Sequence, residues 1–285
     1  MTVGFIGLGN MGSALAANLV GCGHELVTFD VAGAGGSPAG ATFVSSVGEV
    51  ARRVETVVLS LPDGDVSLRV ANEIVAPDDS SVTHVVDAST VGVDAAMDIA
   101  AMLAARGVAY VDAPVSGGVA GARARTLTVM YAAPDDVCAQ VEPVLAGLSD
   151  SRFGVGDRPG MAQALKLLNN FLSATALAAT SEAIAFSAAV GLDMGTVLDV
   201  LNRSSGRSAA TQDKFPDHVL TGGYASGFAN SLMAKDVALY LSSVEAQGTP
   251  DTIGKLTRDI WVRFARAEPG ADFTRIYPFV EGSDG

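Results

Sequence analysis

Cysteine, histidine and positive charge are scarce in this chain of 285 residues, and each shortage removes a class of function. Its two cysteines, Cys22 and Cys138, share no CxxC or metal-like spacing, and the histidines number three: His24, His84 and His218. Neither a disulfide framework nor a metal centre is expected. Lysine and arginine together number 18 against 31 acidic residues, a formal net charge of -13. Such acidity argues against nucleic acid or an anionic membrane as partner, and an anionic substrate would need cations gathered locally. The chain opens on a strand pattern at residues 3–6 without a basic leader. The long apolar stretch after Lys166 is rich in Ser and Thr and broken by Glu182. Neither reads as a signal or a membrane span, so a cytoplasmic protein is expected.

What is present is apolar: 49% of the residues are hydrophobic, enough for a sizeable core in two domains or one large one. Short apolar runs at 3–6, 26–29, 56–61, 84–87, 109–112 and 127–131 alternate with helical patterns, the signature of a doubly wound parallel sheet. Beyond residue 160 the strand signals stop. Helical patterns follow, first around Lys166 and then at 193–201, 226–247 and 250–267. The expected architecture is an α/β Rossmann-type domain over 1–160 and an all-α domain over 161–285, joined by a long helix. The Gly-rich stretch 32–40 reads as a loop.

The first strand runs into Gly7-Leu8-Gly9-Asn10-Met11-Gly12. GxGxxG alone is a weak signal, but here it follows a strand and opens a helix at 11–19. Gly7 allows the tight turn, Gly9 lets backbone approach a pyrophosphate, and Gly12 lets helix and strand pack closely. The second strand ends at Asp30, about where an acidic residue bonds the adenosine ribose, and residues 31–51 contain no Lys or Arg to meet a 2′-phosphate. NAD is therefore expected, with NADP disfavoured. A solvated strand-end residue is the blander account of Asp30.

Leu61-Pro62-Asp63 and Asp87-Ala88-Ser89-Thr90 leave strand ends on the ligand-binding edge of such a sheet, where Pro62 and Thr90 would face the nicotinamide half of the cofactor. Either could be a plain turn. The loop Asp112-Ala113-Pro114-Val115-Ser116-Gly117-Gly118 offers a hydroxyl and consecutive unencumbered N–H groups, a concavity suited to a carboxylate or simply a Gly-rich connector. Lys166 and Asn170 stand four residues apart and share a helix face. Most helical lysines only solvate, but this one lies in a segment whose sole other charge through residue 190 is Glu182. Burial there would push an ammonium toward proton exchange at working pH, as an acid/base catalyst requires.

Together the glycine turn 7–12, the loop 112–118, the Lys166-x-x-Asn169-Asn170 helix and the late pair Lys235-Asp236 resemble the β-hydroxyacid dehydrogenases, which include 3-hydroxyisobutyrate dehydrogenase and tartronate semialdehyde reductase. The resemblance covers essentially the whole chain, in order. It implies that Lys166 is the general acid/base, that Asn170 helps hold the substrate, and that Ser116, Gly117 and Gly118 receive its carboxylate. Lys235 would approach nicotinamide and substrate, Asp236 would accompany it at the cofactor, and the long helix would contribute to a homodimer or homotetramer interface. Imine reductases share this architecture but usually carry Asp or Tyr where Lys166 stands. A 6-phosphogluconate dehydrogenase would be longer, and a silent NAD-binding regulator would not need Lys166, Asn170 and Ser116 together.

Departures from the family pattern leave the chemistry intact and bear on which substrate is taken. Arg125 stands where relatives commonly have Gly, Ala132-Ala133 replaces a glycine pair, Ala162 replaces Gly, and the segment 204–210 lacks an aromatic often found there. Arg125 is read two ways: as a solvated surface residue, or as a cation that selects a substrate with a second polar group.

Overall fold

The computed structural model describes residues 1–282 and divides the chain into two compact units, 1–166 and 167–285. The division falls inside the long helix, between Lys166 and Leu167, rather than at its start.

The first unit contains nine strands: β1 (Thr2–Ile6), β2 (Glu25–Phe29), β3 (Thr42–Phe43), β4 (Thr56–Leu59), β5 (His84–Asp87), β6 (Ala109–Asp112), β7 (Val115–Ser116), β8 (Thr128–Ala132) and β9 (Ser151–Gly156). They form one sheet in the order β3-β2-β1-β4-β5-β6-β8-β7, with β9 paired to β8. From β3 to β6 all pairs are parallel, and the helices α1 (Asn10–Gly21), α2 (Val47–Ala51), α3 (Gly64–Val75) and α4 (Val93–Ala104) make the crossovers. Beyond β6 the parallel expectation fails: β8 runs antiparallel to both β6 and β7. Between β6 and β8 lie the two-residue β7 and the six-residue helix α5 (Gly118–Arg123), and β8 folds back to pair with both strands that precede it. After α6 (Asp135–Leu148), β9 returns parallel to β8.

Side chains alternate across the sheet as a period of two requires. Val3 and Phe5 of β1, Val58 of β4 and Val111 of β6 pack in one core with Leu15, Leu19 and Val144. Ile6, Val57, Leu59 and Tyr110 pack in the other with Ile74, Ile99 and Leu103. β3 and β9 escaped the sequence reading: one has two residues, and the other, SRFGVG, is interrupted by glycines and mostly unburied.

The second unit is helical: most of α7 (Met161–Ala189), then α8 (Met194–Leu201), a π-helical segment (Ala210–Val219), α9 (Asn230–Ala246), α10 (Thr252–Ala267) and α11 (Ile276–Glu281). Its core gathers Ala174, Leu177, Phe215, Trp261, Phe264 and Phe273. The Trp261 indole N–H donates to Ala174 O at 3.2 Å, so the ring is both buried and satisfied. α9 begins later than the expected residue 226. Ser226 Oγ and Gly227 N–H donate instead to the Asp272 carboxylate, which holds that stretch out of the helix. Among the described residues α7 is the one helix that by length and composition could cross a membrane, but its Ala174, Leu177, Ala178 and Ile184 belong to the helical core.

Candidate active site

In the glycine turn each glycine is required for a different reason. Gly7 has φ +96°, and a Cβ there would lie 2.2 Å from Ser60 O; a Cβ on Gly12 would lie 1.9 Å from Gly7 O. A Cβ on Gly9 would meet nothing within 4 Å. That opening lies at the start of α1, whose N-cap is Gly9 itself and whose first N–H groups receive no side-chain cap. An uncapped helix N-terminus beneath open space is the cradle a pyrophosphate fits.

Asp30 stands beside this turn at the end of β2. Its Oδ2 accepts from Leu8 N–H at 2.5 Å and its Oδ1 from Ala32 N–H at 2.7 Å, so one carboxylate ties the glycine turn to the chain leaving β2. The Gly-rich stretch closes onto the same turn, since a Cβ on Gly36 would lie 2.1 Å from Leu8 O. The next two loops are joined by a 2.8 Å bond from Leu61 N–H to Ser89 Oγ, which links the chain bearing Pro62 to the chain bearing Thr90. Asn10 and Met11 form the first residues of α1.

Ser116 closes β7 opposite Thr128 of β8, and Gly117 and Gly118 follow with φ +128° and +69°, a left-handed pair that favours glycine. Both glycines are exposed, and a Cβ on Gly118 would meet no atom within 4 Å.

Arg125 does not join this loop. It is the residue just past α5 in a Schellman motif: Thr126 N–H donates to Gly121 O at 2.9 Å and Arg125 N–H to Ala122 O at 3.1 Å, with φ +58° at Arg125. Glycine is the usual residue in that position of the motif. The guanidinium donates to Ala146 O at 3.0 Å and to Asp150 Oδ1 at 3.2 Å, and also contacts Cys22 Sγ. It caps the end of α6.

Lys166 is buried, 7% exposed, in the second turn of α7. Two buried carboxylates underlie the same region, side by side in register at the ends of β5 and β6. Burial raises Asp87, opposed by hydrogen bonds from Ser89, and pushes Asp112 up to about 6, opposed by hydrogen bonds from Gln163. Tyr110 Oη donates to Asp87 Oδ2 at 3.3 Å, and its own hydroxyl is held well above the ordinary tyrosine range by burial and the neighbouring carboxylates. The sequence reading passed over Gln163; its only signal was one amide in an apolar run, a turn before the lysine.

In the second unit Asn170, Lys235 and Asp236 come together. Asn170 Nδ2 donates to Asp236 Oδ2 at 2.6 Å, Asn169 Nδ2 donates to Asn170 Oδ1 at 3.1 Å, and Lys235 Nζ lies 3.4 Å from Asp236 Oδ1. A turn along, Phe171 of α7 stacks on Tyr240 of α9 with centroids 4.2 Å apart and 4° between planes, fixing the two helices in register. Asp236, 2% exposed, thus serves as the partner of Asn170.

A glycine-turn nucleotide cradle in a sheet domain that ends on a buried lysine, in a helix that continues into a helical unit, defines a nicotinamide-dependent oxidoreductase architecture. Residues 2–156 match the model for the NAD binding domain of 6-phosphogluconate dehydrogenase, and residues 160–280 that for the NAD-binding of NADP-dependent 3-hydroxyisobutyrate dehydrogenase. The 3-hydroxyisobutyrate dehydrogenase of Pseudomonas aeruginosa is 34% identical over 99% of each chain. The 2-(hydroxymethyl)glutarate dehydrogenase of Eubacterium barkeri is 34% identical over 87% of this chain and 84% of its own. Among solved structures, the Mycobacterium tuberculosis 3-hydroxyisobutyrate dehydrogenase with L-serine superposes with a TM-score of 0.90 at 30% identity, covering 98% of each chain. The chain belongs to the β-hydroxyacid dehydrogenase family.

Proposed function

We propose that the protein interconverts a small 3-hydroxy acid and its semialdehyde or keto form, with NAD as the preferred cofactor and Lys166 as general acid/base. The observation that carries this reading is the burial of Lys166 one turn into the helix that follows a complete nucleotide cradle. Gly7, Leu8, Gly9, Asn10, Met11 and Gly12 would hold the pyrophosphate on backbone N–H groups, and Asp30 the adenosine ribose. Leu61, Pro62 and Thr90 would flank the nicotinamide, which when bound accepts or returns the hydride.

The chain's own residues do the rest. Ser116 Oγ and the Gly117 and Gly118 N–H groups would bind the substrate carboxylate, aided by Asn170 and Lys235. In oxidation neutral Lys166 takes the hydroxyl proton on Nζ as the C–H bond gives up its hydride; in reduction the lysinium returns that proton to the oxygen. Fixing the carboxylate at one end and the hydroxyl proton at the other is an orientation effect that can reach roughly 7–11 kcal/mol in well-aligned cases.

NAD preference is supported by Asp30 and by residues 31–51, which hold no cation for a 2′-phosphate. The exposed apolar stripe Leu165, Leu168, Leu172 and Phe186 along α7 supports a homodimer or homotetramer that covers it. Two unpaired cysteines fit a reducing compartment such as the cytoplasm. A turnover screen with short hydroxy acids and both cofactors tests the reading. At least about tenfold higher kcat/KM with NAD on a 3-hydroxy acid is expected, while equal efficiency with NADP would remove the cofactor assignment and no turnover on any hydroxy acid the substrate assignment.

A further inference from the structure

Gln163 is fully buried in the first turn of α7, one turn before Lys166. Its carboxamide uses all of its hydrogen-bonding capacity. Nε2 donates to Ser89 O at 3.0 Å and to Asp112 Oδ1 at 2.8 Å, while Oε1 accepts from Val91 N–H at 3.0 Å and Gly92 N–H at 3.2 Å. Asp112 Oδ2 accepts in addition from the N–H groups of Gly160 and Gln163, each at 3.0 Å. One carboxamide and one carboxylate thus join three segments: the loop after β5 that bears Thr90, the end of β6 that runs on to Ser116, and the start of the helix that bears Lys166.

Each segment carries a different part of the proposed chemistry. A well-packed apolar pair could fill this volume without taking a charge out of water, so a buried carboxylate is a costly way merely to fasten a helix to a sheet. A fully satisfied polar network specifies direction where apolar contacts specify only proximity. Because α7 is continuous, fixing its first turn in rotation and height fixes where the Cα–Cβ bond of Lys166 points.

We infer that Gln163, clamped by Asp112, is a positioning residue that sets Lys166 against the Thr90 and Ser116 loops. The inference rests on reading Lys166 as the acid/base. It predicts that removing the clamp lowers the chemical step while leaving cofactor affinity and the fold in place.

The test uses full-length Gln163→Met, which keeps the volume without the hydrogen bonds, and the isostere Gln163→Glu. Steady-state oxidation of the best hydroxy acid is measured beside NADH binding by fluorescence and cooperative thermal melting. Both variants should melt cooperatively and bind NADH within about fivefold of wild type, with KM within about threefold and kcat lowered on the order of 10- to 100-fold, as a misplaced catalytic group would cause.

The pH dependence distinguishes the clamp from general loosening. At pH 8 the Gln163→Glu substitution would set a second carboxylate against Asp112; as pH falls toward 6, one proton shared between them restores a donor, and the Glu variant should gain on the Met variant. Asp87, Tyr110 and Lys166 also border this network, but they are present in both variants and cancel in the ratio. A kcat within twofold of wild type, NADH affinity collapsing in step with kcat, or a flat Glu-to-Met ratio would each overturn the inference. If neither variant folds, Asp112→Asn is read in the same way. Lys166→Ala is the control: if it keeps its rate, the acid/base reading fails; if it is inactive while the Gln163 variants run at full rate, only the positioning role fails.

Discussion

Asp236 accepts a 2.6 Å hydrogen bond from Asn170 Nδ2, and with that bond a carboxylate on α9 decides which way a carboxamide on α7 faces. An amide can present either end to a ligand; here the NH₂ end is taken by Asp236, and Oδ1 receives Asn169 Nδ2. Asp236→Ala should therefore let Asn170 turn and lower kcat on the order of 10- to 100-fold, as sub-ångström misplacement can. Asp236→Asn, whose oxygen can still accept the bond, should retain most of the rate. Steady-state kinetics of the two variants check this, and an Ala variant within twofold of wild type would refute it.

Arg125 yields a prediction about stability rather than specificity. Its left-handed φ of +58° costs a side chain about 1–2 kcal/mol that glycine avoids, whereas its exposed partner Asp150 contributes little. Arg125→Ala keeps the strained backbone and loses the bonds to the end of α6; Arg125→Gly loses the same bonds but relieves the backbone. Urea titration should find the Gly variant more stable than the Ala variant by about 1 kcal/mol. Neither should change the ratio of kcat/KM between a plain 3-hydroxy acid and one with a second carboxylate. A changed ratio would return Arg125 to the substrate.

Asp112 links stability to pH with a definite sign. Burial pushes it from the ordinary aspartate value of 3.8 up to about 6, so between those values the folded chain holds its proton more firmly than the unfolded chain. Its stabilising contribution is complete below the lower value and is lost as pH rises through the upper one. Comparing Asp112→Asn with wild type isolates this group from the other carboxylates. The melting temperature of the variant should rise relative to wild type between pH 4.5 and 7. A constant difference, or one of opposite sign, would mean that Asp112 is not held above its unfolded value.

Much of this was legible in the sequence because the chemistry is local. The glycine turn, Asp30 and the loop ending in Ser116-Gly117-Gly118 each announce themselves within a few residues, since backbone conformation and strand ends dictate their residue types. What stayed hidden depends on contacts between distant segments. Gln163 reaches Ser89 and Asp112 across the fold, and no pattern within α7 points to them. Asp236 was legible only as the companion of a lysine, and its bond to Asn170 joins two helices far apart in sequence. Arg125 shows the same limit: the Schellman turn after α5 lets its guanidinium reach the end of α6, a contact that no local pattern announces.

The most direct test of the account is the rate of Lys166→Ala with NAD and the best hydroxy acid, measured beside its NADH affinity. The account predicts a kcat lowered on the order of 10²- to 10⁴-fold, the range for losing a positioned acid/base, with NADH still bound because the glycine turn is untouched. Lys166→Arg should be nearly as slow, since a guanidinium does not release a proton near neutral pH. A Lys166→Ala enzyme that keeps more than half of the wild-type rate would contradict the account.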